Sequence, residues 1–175
     1  MGLWKRFMAI LTSYEGSNDD YENGGTAGGR TQAFQVPSNS TVTSVSIYGS
    51  RGGSASGNTV FSIHQGTATG TTIATKTIAS TSLSGYGSPA WNEITFDTPG
   101  SLVAGTTYHL KVLSTSGSSS DEVRWSTDTT SPAYASGHPW YGTGDASYVE
   151  STTRDKNFRV NGNVSTNTSS FFLVM

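Results

Sequence analysis

No cysteine occurs among the 175 residues, so neither a disulfide framework nor a thiolate metal site is available, and stability has to come from packing and sheet hydrogen bonds. Charge is scarce too: 10 Lys and Arg stand against 12 Asp and Glu, with a formal net charge of −2. Duplex nucleic acid is bound by cations that neutralise phosphates, so this composition argues against a nucleic-acid partner. The same low net charge argues against disorder. Long apolar runs are missing, since nothing approaches the ~20 residues of a membrane-spanning helix, and no membrane partner is expected. The apolar stretch after Lys5 and Arg6 covers only Phe7 to Leu11, short of the ~7–15 residues of an export signal.

What is present is Gly, Ser and Thr in quantity, with aromatics at 11%. Texture divides the chain into an N-terminal arm (1–29), a body (30–162) and a C-terminal tail (163–175). In the arm, Leu3, Trp4, Phe7, Met8, Ile10 and Leu11 fall at a spacing that suits a short amphipathic helix or a strand. The polar stretch Gly16 to Gly29 reads as a connector. In the body, Val45-Ser-Ile47, Phe61-Ser-Ile63, Ile94-Thr-Phe96, Tyr108-His-Leu-Lys-Val112, Val123-Arg-Trp125 and Phe158-Arg-Val160 alternate apolar with polar residues. A strand with one buried face requires that period of two. Gly-rich breaks at Gly49 to Gly57 and Gly66 to Gly70, with Pro99-Gly100, separate the runs. The fold class expected is all-β: two antiparallel sheets forming a β-sandwich, a jelly roll in topology.

The order of these pieces resembles a jelly-roll domain of bacterial surface proteins and phage virion proteins, similar in style to carbohydrate-binding modules. The pieces are Gln32-Ala-Phe-Gln-Val36, Thr43-Ser-Val-Ser-Ile47, Thr71-Thr-Ile-Ala-Thr75, Trp91-Asn-Glu-Ile-Thr-Phe96, the turn Ala104-Gly-Thr-Thr-Tyr108, Tyr134-Ala-Ser-Gly137 and the ending Asp155-Lys-Asn-Phe-Arg-Val160. The resemblance implies display or binding without catalysis, on a virion assembled in a host cytoplasm or, alternatively, outside a cell or on its surface.

Catalytic signatures are absent: no G-x-S-x-G elbow, H-E-x-x-H pair, P-loop or G-x-G-x-x-G fingerprint occurs, and no enzymatic activity is expected. His64 and His109 sit in alternating strand runs and read as ordinary surface or packing residues. Asp121, Glu122, Asp128, Asp145, Glu150 and Asp155 could supply a carboxylate pair, but read more simply as solvated charges. Asp19, Asp20 and Glu22 could help hold a structural calcium, although the order of a calcium loop is missing. No other cofactor is expected. Arg30, Arg51, Arg124, Arg154, Lys156 and Arg159 form no run. Sequons at Asn39, Asn163 and Asn167 arise readily in so Ser/Thr-rich a chain.

Two candidate surfaces remain. Tyr134, His138, Trp140, Tyr141 and Tyr148 are dense enough to form an aromatic platform for sugar rings, with Trp140 and Tyr141 expected on a loop. The competing reading is that Trp125 belongs to the core and Tyr134 packs the loop it sits in. Leu3, Trp4, Phe7, Met8, Ile10 and Leu11, with Phe171, Phe172, Leu173 and Val174 of the tail, are apolar beyond the body and are expected to dock on other subunits, with a homo-oligomer as the outcome. The bland alternative is that both ends add strands to their own sandwich.

Overall fold

A computed structural model describes residues 8–24, 29–53, 55–114, 123–143 and 147–165. The strands are β1 (Ala9–Tyr14), β2 (Asp20–Gly24), β3 (Arg30–Phe34), β4 (Ser40–Arg51), β5 (Asn58–Gln65), β6 (Thr71–Ala79), β7 (Ala90–Leu102), β8 (Tyr108–Ser114), β9 (Val123–Asp128), β10 (Pro139–Thr143), β11 (Ser147–Glu150), β12 (Asp155–Lys156) and β13 (Phe158–Val164). The fold is all-β. One antiparallel sheet holds β1, β13, β4, β9 and β12, with β2 on β9 and β7 on β4; the other runs β11-β10-β3-β8-β5-β6. Within each sheet only the steps β1–β2, β5–β6, β10–β11 and β12–β13 stay in place, and every other connection crosses to the opposite sheet, as a jelly roll requires.

The alternating residues named above form the core. None of Val45, Ile47, Phe61, Ile63, Ile94, Phe96, Tyr108, Leu110, Val112, Val123, Trp125, Phe158 and Val160 is more than 4% exposed. Burying each such side chain stabilises by about 1.5–3 kcal/mol before the entropy of ordering it is counted. Phe34 stacks on Tyr108 and packs against Phe158, tying both sheets to one centre.

Both resemblance motifs have structural explanations. In Ala104-Gly-Thr-Thr-Tyr108, Gly105 adopts a left-handed φ of +69° that disfavours a side chain. The chain then returns so that the Tyr108 hydroxyl accepts a hydrogen bond from the Val103 N–H at 2.9 Å, much as in a tyrosine corner. In the ending Asp155 to Val160, Asp155, Lys156 and Asn157 are buried as well. The Asn157 carbonyl accepts from the Trp125 indole at 2.8 Å, while its side-chain amide donates to Ser17 O, Asn18 Oδ1 and Ser126 Oγ.

Part of the arm joins the first sheet. Residues 9–14 and 20–24 are strands of the first sheet: β1 pairs with β13 and β2 with β9. Leu11 therefore lies in the core and not on a docking face, whereas Met8 and Ile10 remain 59% and 54% exposed. A β-strand sends neighbouring side chains to opposite faces, which is why one segment supplies both kinds of residue. Leu3, Trp4, Phe7 and Phe171 to Val174 lie outside the described residues. At the other end β13 runs through Val164, into the segment expected as tail.

Candidate functional site

Trp140 and Tyr141 lie on β10, not on a loop. Strand geometry therefore sends them to opposite sides, and the five expected recognition residues do not form one platform. Tyr134 packs edge-on against Phe158 and Tyr14, with its hydroxyl 2.9 Å from Thr12 Oγ1; it belongs to the core margin. His138 places Nδ1 3.9 Å from Asp155 Oδ1. Tyr148 on β11 lies beside the Lys111 ammonium, 5.6 Å from ring centre to nitrogen.

Trp140 does line a groove. On β3, opposite it, stands Thr31, and Ala33 faces His109 on β8. These small side chains let the indole reach across β3 and meet the His109 ring edge-on at 5.4 Å. Gly137, with a φ of +146°, brings the chain into β10 so close to Ala33 that a Cβ would lie 2.7 Å from the alanine methyl. The resulting groove, about 370 Å³, is lined by Trp140, His109, Gln35, Thr107, Ser136 and Glu150, with Ala33, Gly66, Ala135 and Gly137. Burial holds His109 far below its ordinary range, at about 4, and repulsion from His64 acts in the same sense; the Gly66 backbone opposes both. At neutral pH the groove wall is thus a neutral imidazole beside an indole, with amide, hydroxyl and carboxylate groups around them.

Across the molecule, a second groove of about 640 Å³ is lined by Asp20, Tyr21, Glu22, Asn23, Arg30, Tyr141, Ser151, Thr153 and Arg154. Glu22 is its centre: Lys156 Nζ lies 2.5 Å from Oε2, Arg154 Nη1 2.7 Å from Oε1 and Arg30 Nε 3.7 Å from Oε2. Burial alone raises the Glu22 carboxyl, but Lys156 above all holds it below the ordinary range. Lys156 is fully buried, donates also to Thr127 Oγ1, and is pushed down to about 8 by burial, with Arg30 and Arg154 adding repulsion. The Tyr141 hydroxyl is pushed up by burial and by Glu22.

The three arm carboxylates considered for calcium are engaged by other partners. Glu22 is taken up by cations, Asp20 Oδ1 accepts its neighbour's Tyr21 N–H, and Asp19 accepts from Thr129 N and Thr130 Oγ1. Among the described residues no cluster of His, Asp and Glu is placed to hold a metal ion. The carboxylates of the second half are engaged as well. Asp128 accepts from the Tyr14 hydroxyl at 2.7 Å and from the Ser17, Thr130 and Ser131 N–H groups. Against the upward push of burial these bonds hold it at about 2. Asp155 accepts from Tyr134 N, and burial raises its carboxyl. Glu150 lines the Trp140 groove, and Asp121, Glu122 and Asp145 lie outside the described residues.

Sequence reasoning missed the Glu22 cluster and a further feature on the outer face of the first sheet. There Arg159 crosses the small Ser46 to stack on Trp91, 3.8 Å from the ring centre, with Tyr48 edge-on to the same ring and Glu15 gripping the guanidinium through two bonds. No local signal marks either cluster, because the partners come from distant strands.

No curated protein matches this sequence. A family model described as a domain of unknown function, DUF4082, matches residues 28–160. That span begins just before β3 and ends within β13, leaving β1 and β2 outside it. Covering about three quarters of the 175 residues, the match makes this chain a member of the DUF4082 family.

Proposed function

We propose that this protein is a non-enzymatic structural component of a virion, a capsid decoration protein or part of a tail fibre, that displays its sandwich outward and docks on other subunits, including copies of itself, through its N-terminal edge. The observation that carries the reading is the character of β1. It ends the first sheet, so one row of its backbone groups has no strand partner among the described residues. It also leaves Met8 and Ile10 more than half exposed while anchoring itself through Leu11. An exposed apolar edge strand is a template for pairing with another chain, and soluble monomers blunt such edges with charge. The step to a virion comes from the resemblance to phage jelly rolls.

The test is the mass in solution by light scattering of the full chain and of the double variant Met8→Lys, Ile10→Lys. Removal of residues 1–11 would take Leu11 from the core and confound assembly with folding. An oligomer that becomes a monomer of unchanged melting temperature supports the reading; equal masses for both proteins overturn it. Docking through Phe171, Phe172, Leu173 and Val174 belongs to the same proposal, and a chain ending at residue 165 tests it by the same measurement.

The groove beside Trp140 favours a second reading, a module that binds surface glycans. A half-buried indole flanked by amide and hydroxyl groups suits a sugar ring laid on it. Trp140→Ala then abolishes retention on a glycan array and leaves the mass in solution unchanged; unaltered retention refutes this site.

A further inference from the structure

Among the described residues of the Glu22 groove, cations outnumber carboxylates. Arg30, Arg154 and Lys156 converge on Glu22, and one other carboxylate, Asp20, lines the groove 3.7 Å from Arg154 Nη1. That sets three positive charges against two negative, an excess of one among these residues. Burial of Lys156 makes that excess costly, because charges removed from water need compensation in place.

Its most accessible carrier is Arg154. The side chain is 40% exposed, and both ion pairs run through Nη1; Nε and Nη2 have no partner among the described residues. A guanidinium presents its donors as a planar fork that matches a carboxylate. Around it the groove offers the Ser151 and Thr153 hydroxyls, 3.5 Å apart, and the Asn23 side chain at its margin. Ser151 is fixed by a backbone bond from its N–H to Pro139 O at 2.9 Å, so this wall is preorganised.

We infer that this groove binds a sugar bearing a carboxylate, such as a uronic acid unit of an acidic polysaccharide, with Arg154 taking the carboxylate and Ser151, Thr153 and Asn23 taking ring hydroxyls. One planar fork with a single positive charge matches a planar monoanion better than a doubly charged, tetrahedral phosphate. Hydroxyl and amide groups beside the cation suit a polyhydroxylated ligand more than a bare ion. The site lies apart from Trp140 and from β1, so its failure leaves the readings above untouched.

The test is calorimetric titration of the full chain with a galacturonate trimer, with the fully methyl-esterified trimer and with inorganic sulfate. The expected result is binding of the acid form, at least tenfold weaker binding of the ester, and no displacement by equimolar sulfate. Arg154→Gln should cost about 10–100-fold, the worth of one or two charge-assisted hydrogen bonds, while its melting curve stays close to that of the parent. Should that variant fail to fold, Arg154→Lys keeps the charge, removes the fork and should still lose at least tenfold. Ser151→Ala with Thr153→Val should weaken the acid and the ester by similar factors. Equal affinity for acid and ester, displacement by sulfate at equal concentration, or unchanged binding by the Arg154 variants overturns the inference.

Discussion

Acidification should reveal His109 as a stability switch whose size follows from its burial. The ring is 1% exposed, lies edge-on to Trp140 and faces His64 across the β5–β8 pair. Burial holds it at about 4 in the folded protein, against 6.5 for an ordinary histidine. Between those values the unfolded chain binds a proton that the folded chain does not, so the stability contribution is fully present above pH 6.5 and is lost as pH falls through 4. At about 1.4 kcal/mol per pH unit the whole loss is about 3 kcal/mol, of which about 2 kcal/mol falls between pH 7 and pH 5. Urea unfolding at pH 7, 6 and 5 measures it, and His109→Gln, neutral throughout, supplies the reference. Other titrating groups act on both proteins and cancel, including Asp155, whose raised carboxyl works in the opposite sense. The reasoning is refuted if the parent's loss over this range exceeds the variant's by less than about 0.5 kcal/mol.

Asp128 should act in a lower window. Its folded value of about 2 lies below the ordinary carboxylate range, so its contribution is present above pH ~4 and disappears as pH falls towards 2. Asp128→Asn should flatten that part of an acid titration followed by tryptophan fluorescence, and should lower stability at pH 7 by about 1.5–3 kcal/mol through its bonds to Tyr14 and the 129–131 turn. Asn157→Ala should cost about 1–3 kcal/mol in chemical denaturation, because the amide's bonds to Ser17 O, Asn18 Oδ1 and the buried Ser126 Oγ are lost. A loss under 1 kcal/mol would mean that water replaces the amide there.

Particular residues show why some of this was legible beforehand. Val45 and Ile47, or Phe158 and Val160, announce a buried strand face within three positions, since alternation is a local property of the pleat. His109 sits in the same kind of run, whose alternation leaves surface and packing both open, and the structure buries it. Trp140 and Tyr141 were harder: glycines and a proline around them suggested a loop, yet pairing of β10 with both β3 and β11 makes a strand. Tertiary pairing overrode local turn chemistry. In the sequence Leu11 groups with its neighbours as one apolar segment, whereas β1 sends it inward and Ile10 outward.

Composition and periodicity by themselves determined the class of the molecule: a cysteine-free, weakly charged all-β sandwich whose core residues can be named from a period of two. They determined no site. Glu22 and Lys156 are 134 positions apart in the chain and meet only because β2 and β12 both pair with β9. Arg159 and Trp91 meet only across Ser46 of β4. A pleat is written in consecutive residues, whereas the charge balance of a groove depends on which strands become neighbours, and that was decided by the tertiary structure alone.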